Sequence, residues 1–80
     1  MSKHSPTWLA RATVQVADPK NPAKLMPLWG QGVGDSEKEA KQDALRMLQQ
    51  EFERQFGSDW RKIWGKASRV RYETDIQRHL

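Results

Sequence analysis

Six side chains of this 80-residue chain have the types and spacing to hold phosphate: Ser36, Lys38 and Lys41 after a glycine-rich run, then Arg61, Lys62 and Lys66. Ammonium and guanidinium groups bind phosphate oxygens through charge and hydrogen bonds, and a helix start adds free N–H groups and the positive end of its dipole. Other chemistries have little to work with. His4 and His79 are the groups able to move protons near neutral pH, and each stands by a terminus without an acidic, Ser or Cys partner pattern. No catalytic residue is expected. The chain has no cysteine, so disulfides and thiolate metal sites are excluded, and Asp59, Glu73 and Asp75 are too scattered for a carboxylate cage. Neither a metal nor a cofactor is expected. Gly30-x-Gly32-x-Gly34 lacks the lysine and the following βαβ unit of a nucleotide-binding loop. Trp60 and Trp64 are four apart on one helical face and suit core packing better than base stacking.

The charge of the chain is unevenly placed. Residues 1–53 hold seven basic and seven acidic side chains, whereas residues 54–80 hold seven basic residues against Asp59, Glu73 and Asp75. The whole net charge of +4 therefore belongs to the C-terminal third. Such a field draws phosphates or an acidic protein surface, and it also serves plain solubility. No run of about 20 apolar residues exists to cross a membrane, and Met1–Thr7 has no apolar signal region. The expected setting is the cytoplasm.

The elements that must position these groups are legible from periodicity. Trp8, Ala10, Ala12, Val14 and Val16 alternate with Leu9, Arg11, Thr13, Gln15 and Ala17 as in a half-buried strand. Asp18 to Pro22 breaks that pattern, and Leu25 to Val33 forms the second arm of a hairpin. Pro27 has no N–H, so it must face an open edge or begin the strand. Gly30, Gly32 and Gly34 are expected to lead that strand into a tight turn. A long helix follows, capped by Ser36 with Glu39 completing a capping box, or by Asp35. Ala40, Ala44, Leu45, Met47, Leu48, Phe52 and Phe56 form its apolar face, and Gly57 ends it. A short helical turn through Trp64, closed by Gly65, precedes a third strand in which Val70, Tyr72, Thr74 and Ile76 alternate with charged residues. The four tryptophans are expected to supply much of a thin core.

Gly32-Val33-Gly34-Asp35-Ser36-Glu37-Lys38-Glu39-Ala40-Lys41, with Ala44 and Leu48, resembles the last strand and final helix of double-stranded-RNA-binding domains. The family pattern there is Gly-x-Gly-x-Ser-Lys-Lys-x-Ala-Lys. The resemblance implies a helix start that faces the major groove of an RNA duplex, with Lys38 and Lys41 touching phosphates and Ser36 capping the helix. A-form RNA is read by shape, 2′-hydroxyls and backbone, for which lysines suffice. Lys38 and Lys41 are helical neighbours. They fall on the sector that Leu48, Phe52 and Phe56 use as core, which implies that the first turn projects past the core's edge. The chain departs from the pattern at Glu37, where the family has its first lysine, and the family's leading helix and first strand do not precede Trp8. A circularly permuted order would supply both, with helix 59–64 and strand 67–76 in their places and Arg61, Lys62 and Lys66 as a second groove contact.

The fold expected is α+β: a three-stranded antiparallel sheet with one long helix on one face, in the order β-β-α-short α-β. Residues 1–80 form a single domain, with 1–6 and 77–80 frayed. The expected function is non-catalytic binding of the backbone of structured or double-stranded RNA. The alternative is a small regulator or inhibitor that docks on an acidic protein surface. No membrane partner is expected, and an exposed strand edge allows a homodimer.

Overall fold

The computed structural model describes residues 7–18 and 20–77; His4, His79 and most of the termini expected to fray, 1–6 and 77–80, lie outside them, while Gln77 ends the last strand. Strand β1 spans Thr7–Asp18 and β2 spans Asn21–Gly34. Helix α1 spans Glu37–Phe56, a single 3₁₀ turn covers Gly57–Asp59, α2 spans Trp60–Lys66, and β3 spans Arg71–Gln77. The sheet order is β2-β1-β3, antiparallel throughout, with α1 over one face. This is the α+β architecture expected from periodicity.

The hairpin turns where the Asx residue sits: the Asp18 carboxylate accepts from the Lys20 N–H at 2.9 Å. β2 starts at Asn21, earlier than expected, because pairing with β1 resumes directly after this turn. β3 pairs with β1 on the side away from β2, matching Ala10 with Thr74 and Trp8 with Ile76. Ser68 extends that pairing beyond the strand. It donates its N–H to the Gln15 carbonyl at 3.0 Å, and its Oγ accepts from the Gln15 N–H at 2.9 Å.

Alternation assigns each residue a face. Ala10, Ala12, Val14 and Val16 of β1 and Leu28 of β2 are buried beneath Ala40, Ala44, Leu48 and Phe52 of α1. The three strand glycines do not make the tight turn expected of them. Gly30, Gly32 and Gly34 lie within β2, and Gly57, with φ 65°, is the one described residue with positive φ. Their role is contact with α1, whose backbone crosses directly above β2. A Cβ at Gly30 would stand 2.3 Å from the Leu48 nitrogen, and one at Gly34 2.6 Å from the Ala40 nitrogen.

The tryptophans also depart from expectation, because none is fully buried. Trp8, Trp60 and Trp64 flank the core, while Trp29 lies on the sheet face away from α1 and is 53% exposed. Phe52 fills the centre instead, edge-on to Trp64 at 4.9 Å. Gly65 does not end the short helix, which runs to Lys66.

β1 is shielded on both sides, and β2 and β3 are the sheet edges. The Val33 N–H points away from β1, so by the alternation of an antiparallel ladder the odd-numbered residues of β2 turn their backbone groups outward. Pro27 is one of the outward set, as its missing N–H requires. Val33 is another, and its N–H donates to the Asp43 carboxylate of α1 at 3.0 Å. The helix thus overhangs the β2 edge.

Candidate nucleic-acid interface

The start of α1 is built as its residues dictate. Ser36 has extended backbone, and its Oγ accepts from the Glu39 N–H at 3.2 Å. Glu39 reaches back, but to the Asp35 N–H at 3.1 Å rather than to that of Ser36. Two N–H groups of the helix entrance are thereby satisfied internally, and acidic Glu37 and Glu39 lie in the first turn, where the dipole favours them.

Lys38 and Lys41 differ in setting. Lys38 is exposed and forms no ion pair among the described residues. Lys41 is half-buried, with its ammonium 3.4 Å from Glu37 and 5.7 Å from the centre of the Tyr72 ring. That arrangement combines an i,i+4 ion pair with a cation–π contact. The other Glu37 oxygen accepts from the Thr74 hydroxyl at 3.4 Å. Glu37 therefore fastens the helix start to β3 while partly neutralising Lys41. The four-residue spacing of Glu37 and Lys41 was a usable signal for the ion pair. Tyr72 and Thr74 were not foreseeable as partners, because they lie 31 or more positions away and only the strand order brings them there.

Arg61, Lys62 and Lys66 are exposed on α2, with Arg61 5.4 Å from the Trp60 ring centre. Ile63, Trp64 and Trp60 turn to the core, so the basic side chains occupy the solvent side of this helix. The two groups of predicted contacts are not one cluster. They lie at opposite ends of α1, whose 20 residues make it about 30 Å long.

Ion pairing divides the cations further. On α1, Lys41, Arg46 and Arg54 are paired with Glu37, Asp43 and Glu51 respectively. Among the described residues no ion pair holds Arg61, Lys62, Lys66, Arg69 or Arg71. The carboxyl of Asp43 lies below its usual range through the Val33 N–H and then Arg46. That of Glu51 does so through Gln55 and then Arg54.

A trough of 570 Å³ is lined by Leu9, Arg11, Gln31, Val33, Glu73 and Asp75 of the sheet and reaches past the β2 edge to Asp43 and Met47 of α1. Its mixed charge distinguishes it from the basic side chains of α2. No family model, curated protein or solved structure matches this chain. Among the described residues there is no group of three or more metal-ligating side chains, and no helix is long and apolar enough to cross a membrane.

Proposed function

We propose that this chain is a non-catalytic domain that grips the backbone of structured or double-stranded RNA, in the manner of a permuted double-stranded-RNA-binding domain. The observation that carries the proposal is the run of cations Arg61, Lys62 and Lys66 on α2, followed by Arg69, which no ion pair holds among the described residues. Cations already neutralised by carboxylates gain little from phosphate, whereas unpaired ones displace counterions from it. Lys38 at the Ser36-capped helix start adds a second contact about 30 Å away, the length of α1, and Lys41 joins it once released from Glu37. The pairing of β3 with β1, opposite β2, is the placement the permuted order requires.

Anisotropy titrations with duplex RNA, duplex DNA and single-stranded RNA across a salt series test this reading. Preference for the RNA duplex is expected, and Arg61→Glu, Lys62→Glu and Lys66→Glu combined should flatten the salt slope by about two to three units. Equal weak binding to every polyanion would sink it. The Glu37–Lys41 ion pair favours a second reading, docking on an acidic protein surface, because it withdraws one of the two helix-start lysines from phosphate. Recovery of one stoichiometric protein after nuclease treatment would decide for that reading.

A further inference from the structure

The sheet face opposite α1 is covered by nothing among the described residues, and it is patterned. Across the strands, Val33, Leu9 and Asp75 form one row, Gln31, Arg11 and Glu73 the next, and Trp29, Thr13 and Arg71 the third. The β2 side of this face is apolar, with Trp29 53% and Val33 55% exposed. From Leu25 to Gly34, β2 carries no charged residue. The β3 side is charged and polar along its length, with Arg71 at one end and Asp75 at the other. Arg11 and Arg71 balance Glu73 and Asp75, so this face is neutral although the chain carries +4.

We infer that this face binds a second copy of the chain, open face to open face, about a two-fold axis that crosses the strands at the Arg11 row. Such an axis reverses strand direction and keeps each strand over its counterpart. Trp29 then meets the second copy's Val33, and Arg71 meets the second copy's Asp75. On the axis itself Arg11 faces the second copy's Arg11 and Glu73 the second copy's Glu73, each like pair flanked by the opposite charge on the neighbouring strand. The two outer rows are self-complementary, as an isologous interface requires. Face-packed sheets stand about 10 Å apart, leaving room for a tryptophan to lie over the Leu9–Val33 end of the trough.

Growth of the sheet through the β2 edge is one competing geometry, and α1 obstructs it. The helix backbone lies directly above Gly30 and Gly32, Asp43 occupies the Val33 N–H, and Pro27 has no N–H to offer. Two helices so placed would fall closer than the 8–10 Å that packed helices need. Face-to-face pairing leaves both α1 helices and both α2 basic surfaces on the outside, where like charges are kept apart. The interface is independent of RNA. Its apolar part is small beside the roughly 1,600 Å² of a standard interface, so a weak dimer is expected, forming between about 10 and 500 μM.

Sedimentation equilibrium of the nucleic-acid-free protein in low salt tests this. The wild type should pass from monomer to dimer over that range, and Trp29→Lys should remain monomeric with unchanged circular dichroism, since Trp29 lies outside the core. Arg71→Glu alone and Asp75→Lys alone should each weaken association about tenfold. The two combined should restore it to within about threefold of wild type, because the axis pairs position 71 with position 75. A wild-type monomer at every concentration, or a double variant as weak as the singles, would overturn the inference. The first outcome would leave this face to a different protein. Neither outcome bears on RNA affinity, which is measured separately.

Discussion

Gly32 and Ala44 touch backbone to backbone: a Cβ built on Gly32 would stand 2.2 Å from the Ala44 nitrogen. The helix can lie this low because the strand beneath offers no side chains and α1 answers with Ala40 and Ala44, both wholly buried. The resembling Gly-x-Gly and Ala positions therefore have a packing cause that operates whatever the domain binds.

Gly32→Ala should consequently cost at least about 3 kcal/mol, since the obstacle is helix backbone and cannot swing aside. Gly30→Ala should behave alike. Gly65→Ala is the contrast: it lies inside α2, and a Cβ there meets nothing within 4 Å. It should stabilise the fold by about 0.5–1 kcal/mol. Urea denaturation of the three variants checks the order, and equal effects at Gly32 and Gly65 would refute the close approach.

Phe52 and Trp29 should respond in opposite ways to truncation. Phe52 is wholly buried against Trp64 and Phe56, so Phe52→Ala should cost about 3–5 kcal/mol. That is comparable with the whole stability of a domain this small. Trp29→Ala should stay within about 0.5 kcal/mol at concentrations where the chain is monomeric. Thermal melts of dilute protein distinguish the two.

Acid should weaken the attachment of α1 to the β2 edge. The Asp43 and Glu51 carboxyls lie below their ordinary values of 3.8 and 4.5. Their stabilising contribution is thus complete above those values and is lost as pH falls through the lowered ones. Asp43→Asn with Glu51→Gln should flatten the decline of the melting temperature between about pH 5 and pH 3. Parallel pH profiles for wild type and variant would refute the assignment.

Glu37 is the position where RNA affinity should be easiest to raise. Glu37→Lys adds a cation and releases Lys41, so the salt slope for duplex RNA should steepen by about one to two units. The loss of the Thr74 contact should lower stability slightly, because that contact is exposed. An unchanged slope would mean that the start of α1 does not meet phosphate.

The sequence alone determined the elements of this protein and the inward side of β1, α1 and β3. Period-two alternation in β1 and β3, the Ser36 cap, the apolar stripe Ala40–Ala44–Leu48–Phe52 and the φ of Gly57 are consequences of local sterics and hydrogen bonding, which neighbouring residues suffice to specify. It also determined the charge segregation, since a count along the chain requires no coordinates. Tertiary structure decided what those elements do to one another. It converted an expected glycine turn into a helix seat, because only the approach of α1 shows why β2 must lack side chains there. It moved Trp29 out of the core, because a strand's two faces are equivalent until a helix chooses one. It joined Glu37 to Thr74 and Lys41 to Tyr72, contacts that exist only because β3 closes on the far side of β1. Among the described residues it left Arg61, Lys62 and Lys66 without an ion pair while pairing the cations Lys41, Arg46 and Arg54 of α1, a difference set by which carboxylates folding brought within reach.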